Sequence, residues 1–186
     1  MIEVDHVLKV LKQVKTAIET NNTSKLKFLS DQTIHSASTK QDNDNISLAV
    51  TIYSLGKIFE RQDYKSLDGW ENFNRLLKNS LDNSIKYLEK KDIENYKKNF
   101  TLIGKAINKI SGKLKHYITQ VFEKAKVNKA SRMHEHGISL GKTANLLGVS
   151  LYDLASYTGR TGISDASLNK TIDVKARIKF AEDIFN

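Results

Sequence analysis

The chain has 186 residues, 39% of them hydrophobic, with no cysteine, no proline and a formal net charge of +9 at pH 7. Its length and apolar content suit a folded core, and the missing cysteines exclude disulfides and thiolate metal sites. The acidic N-terminus lacks a signal-peptide layout and no apolar run approaches about 20 residues, so a cytoplasmic protein with no membrane contact is expected. Average usage would supply roughly nine prolines. Their absence fits a chain that is nearly all helix, because proline removes a backbone donor and clashes with the preceding turn.

Taken in chain order, Val4, Val7, Leu8, Leu11, Val14 and Ile18 recur at three- and four-residue steps and predict an amphipathic helix, ended by the polar cluster 20–23. A less regular helix over about 24–39 contains Leu26, Leu29, Ile34 and Ala37. The polar run 41–45 breaks it, and Ile46, Ala49, Val50, Tyr53 and Ile58 begin a third helix. Asp68, with Glu71 three residues on, predicts the capped start of a fourth, whose inner face is Phe73, Leu77, Leu81, Ile85 and Leu88.

Asp92 opens the longest predicted helix, with Phe100, Ile103, Ile107, Ile110, Leu114, Ile118, Val121 and Ala125 in one continuous stripe. A bend is expected within 128–137, because an unbroken helix to that point would be unusually long. A loop is expected from 159 to 167 and a last helix from near Asp173. Strand-like alternation is absent. The expected fold class is therefore all-α: a multi-helix bundle of five or so helices over 1–130, then a helix-turn-helix with a C-terminal helix over 131–186.

The charge excess is local. Residues 1–63 carry eight cations and eight anions, and residues 64–96 six of each. Residues 97–132 carry ten cations against Glu123 alone. A charge-rich helix face is usually only solvated. Here it runs directly into a motif that gives it a second reading.

That motif is 139–160. Gly148 can take the positive φ of a tight inter-helix corner, Ala144 lets a second helix approach, and Ser150 with Asp153 forms a capping pattern. Leu147, Val149, Leu154 and Tyr157 supply apolar contacts across the corner, while Thr143 stands where an apolar residue is usual. If the second helix enters a major groove, Ser150, Leu151, Tyr152, Ser156 and Arg160 approach bases. Lys142 and the basic face of Lys105, Lys109, Lys113, Lys124, Lys126, Lys129 and Arg132 then contact phosphates. The second helix itself holds no Asn, Gln or Arg before Arg160, so weak base readout is expected.

Other chemistry is poorly supported. Gly137 and Gly141 lie too close for a phosphate-binding loop, and no strand precedes them. His134 and His136, two apart, point in different directions on a helix and cannot share a metal there; in a loop they could, but no third ligand is apparent. Ser30, Asp31, His35, Ser36 and Ser38 have nucleophile and base types, but triads are defined by geometry. Helical RNases of the toxin class place a His four to six residues beyond an Arg, and Arg132 is too close to His134 and His136 for that. No catalytic residue, metal or cofactor is expected.

The stretch from His136 through Ser139, Leu140, Gly141, Lys142 and Ala144 to Gly148, Val149 and Ser150 resembles the helix-turn-helix of small antitoxin-like regulators and of uncharacterised archaeal helical proteins. The similarity covers about 25 residues. It implies double-stranded DNA as partner, a protein partner held by the helical body, and no reaction. The expectation is a non-enzymatic transcriptional regulator, as a homodimer. The alternatives are a protein-interaction module (antitoxin-like or an assembly subunit) or a helical RNase or RNA-binding protein.

Overall fold

A computed structural model describes residues 4–40, 43–108 and 112–161, and for 39–40 and 104–108 the backbone alone. The described residues are all-α, in eight α-helices, six of them before the final pair where five or so were expected: α1 Val4–Glu19, α2 Thr23–Lys40, α3 Asn43–Glu60, α4 Trp70–Glu89, α5 Ile93–Asn108, α6 Gly112–Glu135, α7 Leu140–Leu147 and α8 Leu151–Arg160. A single 3₁₀ turn, Gln62–Ser66, joins α3 to α4. Lys109 and the helix expected from Asp173 lie outside the described residues.

Helix starts follow local chemistry. Asn22 Oδ1 accepts from the Lys25 amide at 2.9 Å, and Asp92 Oδ1 from the Asn95 amide at 3.1 Å, each satisfying a donor that has no intrahelical partner. The fourth helix departs from expectation. Asp68 does not cap it; the N-cap is Gly69 at φ +86°, with no side-chain bond. Apolar burial holds α4 instead, through Trp70, Phe73, Leu77, Leu81, Ile85 and Leu88, each contributing about 1.5–3 kcal/mol when fully buried.

The long helix expected from Asp92 is two helices, α5 and α6. Ile103, Leu114, Ile118 and Ala125 are buried on both sides of the interruption. The stripe reads as continuous because both helices turn their apolar faces to one interior. The bend expected within 128–137 falls at the far end of that range, where Gly137 takes φ +89°. α6 continues unbroken to Glu135, with Ala130 and Met133 still facing inward, and the chain turns only at 136–138.

Two apolar clusters share α6. The larger gathers α1, α4, parts of α2, α3 and α5, and Leu114 and Ile118 from α6. The smaller gathers Ile34 and Ala37 of α2, Ile46, Ala49 and Val50 of α3, and Ala125, Ala130 and Met133 of α6 around Ala144, Leu147 and Leu154. The expected domain boundary at 130/131 falls inside α6.

At the corner between α7 and α8, Gly148 sits at φ +62°, ψ +41°. The Val149 amide donates back to Ala144 O at 3.0 Å, which closes α7 with the six-residue bond of a left-handed helix end. A β-carbon at Gly148 would meet nothing within 4 Å, so only backbone strain opposes one. Gly148→Ala should therefore cost about 1–2 kcal/mol. Gly141, inside α7 and equally open, carries no such strain; Gly141→Ala should stabilise by about 0.5–1 kcal/mol. Denaturant midpoints moving in opposite directions would check both.

Candidate nucleic-acid interface

The paired helices are built as the residues require. Ser139 caps α7, its Oγ accepting from the Lys142 amide at 3.3 Å. Ser150 caps α8, its Oγ accepting from the Asp153 amide at 3.0 Å and donating to the Asp153 carboxylate at 2.6 Å. Thr143, at the position usually apolar, is fully buried, and its hydroxyl donates to Ser139 O at 2.9 Å. That bond removes the cost of an unpaired buried hydroxyl.

Leu154 and Thr158 fix the inward side of α8. At roughly 100° per residue, Tyr152 and Ser156 then fall on the opposite side. Tyr152 is 81% and Leu151 54% exposed, and Ser150, Ser156 and Arg160 are exposed as well. Lys142 is exposed on α7. A cleft of about 460 Å³ separates α8 from α6, with Lys124 on the α6 wall and Ser150, Ser156 and Arg160 opposite. Glu123 and Asp153 share this cleft. Glu123 is engaged by Lys126 at 2.8 Å, and Asp153 by Ser150.

The basic face is smaller than composition suggested. Lys113 and Lys124 are exposed. Lys126 is tied to Glu123, and Arg132 to Glu135 at 2.8 Å. Lys129 must be removed from the phosphate-contacting set. Its side chain is 0% exposed, its Nζ lies 2.7 Å from Asp31 Oδ1, and it sits 4.3 Å from the centre of the Tyr53 ring. Burial pushes this ammonium below the ordinary lysine range, and the Asp31 hydrogen bond opposes that shift. The reason for the error is phase: α6 meets α2 and α3 on the side where Lys129 projects. Lys105 lies in α5, where its side chain is not described.

Two of the three serines weighed for catalysis bond to backbone carbonyls inside the helical body. Ser30 donates to Ala49 O across α2 and α3 at 2.7 Å, and Ser38 to Ile34 O at 2.7 Å. Of the two neighbouring histidines, His134 Nδ1 lies 2.8 Å from Ile138 O. His136 Nε2 lies 3.3 Å from His35 Nδ1, a contact between α2 and the chain just beyond α6 that sequence reasoning missed. Nothing local could reveal it, since the rings are 101 positions apart. Among the described residues no three His, Cys, Asp or Glu gather closely enough to hold a metal ion. None of the described helices is long and apolar enough to cross a membrane.

No family model, curated protein or solved structure matches the chain.

Partial loss of water and the adjacent His35 push His136 below the ordinary histidine value, Arg132 acting in the same direction and Glu135 against it. The unfolded chain then takes up the proton first. Stability should be full above about pH 6.5 and fall as pH drops below it, levelling off once folded His136 also protonates. His136→Gln should flatten this part of the curve, as measured by unfolding midpoints between about pH 7.5 and 5.5.

Proposed function

We propose that this chain is a non-enzymatic DNA-binding protein, a transcriptional regulator in which α7 and α8 act as a helix-turn-helix. The observation that carries the reading is the position of α8. Its outer side is open, and its Arg160 faces Lys124 of α6 across a shared cleft. A duplex laid against α8 would meet Lys124, Arg160, Lys142 and Lys113 as phosphate contacts, with Tyr152 and Ser156 nearest the bases. Few of these groups discriminate base edges, so binding depends chiefly on the backbone. Such binding releases counterions and weakens steeply with salt. Titration of a random duplex at 50 and 200 mM salt tests it; absence of binding at the lower salt would remove the reading.

The exposure of Leu151 and Tyr152 favours a second reading. Two adjacent, largely uncovered side chains of this kind suit the centre of a protein interface, so α8 would dock a protein partner. Duplex binding that survives Leu151→Ser and Tyr152→Ser, with loss of self-association, would assign these two side chains to dimerisation of the regulator.

A further inference from the structure

Between α3, the 3₁₀ turn, α6 and α8 lies a second cleft of about 730 Å³, a volume typical of small-molecule sites, roughly 300–1,000 Å³. Its walls combine two kinds of chemistry. Lys57, Arg61, Lys113, Lys124 and Arg160 place five cations around it against one carboxylate, Asp63. Lys57 is engaged by Glu60 at 2.7 Å. The other four have no salt bridge among the described residues.

The second kind is aromatic. Tyr53, Tyr64, Tyr117 and Tyr157 all line the cleft. Tyr64 and Tyr117 lie nearly parallel, centres 5.5 Å apart and planes 12° apart. Tyr64 is buried while Tyr117 is 37% exposed. One face of Tyr117 is thus covered by Tyr64, and its exposed area is left for a further planar ring. Tyr157 is held in place by the Asn128 side-chain amide, which donates to its hydroxyl oxygen at 2.9 Å.

Cations alone would accept any polyanion, and tyrosines alone any flat apolar molecule. Four rings and four cations without a salt bridge in one bounded cleft match a molecule that carries both a planar base and phosphates. Arg61 rests over the Tyr64 ring and Arg160 Nε donates to Ser156 O, which holds both guanidinium groups at the cleft. We infer that this cleft binds a free nucleotide, its base stacked on Tyr117 and its phosphates held by Arg61, Lys124 and Arg160. The cleft is bounded and opens between helices, so a single nucleotide suits it better than a continuous strand. Because α8 forms one wall, a bound nucleotide ties α8 to α3 and α6.

Isothermal titration of the full chain, without DNA, with ATP and GTP in turn tests this independently of duplex binding. At least one nucleotide should bind. Tyr117→Ala should weaken it roughly 10-fold, the loss of one base–aromatic stack, and Arg61→Glu at least as much. Lys90→Glu, outside the cleft, should leave it unchanged. Both Arg61 and Tyr117 are exposed, and circular dichroism checks that each variant is folded. The proposal is overturned if neither nucleotide binds at millimolar concentration. It is equally overturned if inorganic triphosphate binds as tightly as the nucleotides and Tyr117→Ala changes nothing, or if an eight-residue thymidine strand binds while ATP and GTP do not.

Discussion

Asp31→Ala should destabilise the protein by about 3 kcal/mol, whereas Lys129→Met should cost about 1 kcal/mol or less. The Lys129 side chain is fully buried, and Asp31 is the carboxylate at its ammonium, 2.7 Å away. Removing Asp31 strands a charge among α2, α3 and α6, against the Tyr53 ring and with the like charges of Arg132 and Lys27 nearby. The low end of the range for broken buried pairs applies, because the Asp31 side chain is 39% exposed and water already reaches it. Removing the lysine instead takes the buried charge away and leaves a carboxylate that water can solvate.

The two variants also differ in their response to pH. Without Asp31, the buried lysine pKa falls further below its unfolded value, so the unfolded state holds the proton more strongly. The Asp31→Ala deficit should then be greatest near neutrality and shrink as pH rises toward about 10. Since a domain retains only about 5–15 kcal/mol in total, urea midpoints will resolve the difference. Equal losses in both variants would show that the pair is not buried as described.

The second large effect is on duplex affinity. If α8 docks a duplex as proposed, four phosphate contacts per chain, from Lys113, Lys124, Lys142 and Arg160, correspond to a slope of about −3.6 in log affinity against log salt. Affinity should then drop on the order of 100-fold between 50 and 200 mM salt. The Lys113→Glu, Lys124→Glu, Arg160→Glu triple variant should reduce the slope to about −1 and lower affinity at least 100-fold at 50 mM. Arg132→Glu should do much less, because Arg132 is already tied to Glu135. Fluorescence anisotropy with a labelled duplex measures both quantities. An unchanged slope in the triple variant would exclude this face as the phosphate-contacting surface.

Much of the helical plan was legible from periodicity, because residues three and four apart share a helix face wherever the chain is packed. The inner side of α4 appears as read, and so do the Ser150 cap and the glycine corner of α7 and α8, which depend on near neighbours in the chain; the buried face of α1 also takes in Val10 and Ala17, while Leu8 is only half-buried. The errors arose where two solutions share one local pattern. A stripe in phase from Phe100 to Ala125 looks the same in one helix or two that face one interior. Asp68 and Glu71 have capping spacing, yet the N-cap of α4 falls one residue later, at Gly69. Charge counting located a basic segment but could not assign partners to its members.

Helix content, caps, the corner at Gly148 and the region of excess charge follow from interactions spanning a few residues, which the order of amino acids specifies directly. The burial of Lys129 against Asp31, 98 positions away, and the contact of His136 with His35 depend on how α2, α3 and α6 rotate about their axes as they pack. The gathering of Arg61, Tyr64, Tyr117 and Arg160 around one cleft has the same origin. Those rotations are set by the sum of apolar contacts over the whole interior, so no short stretch of sequence contains them.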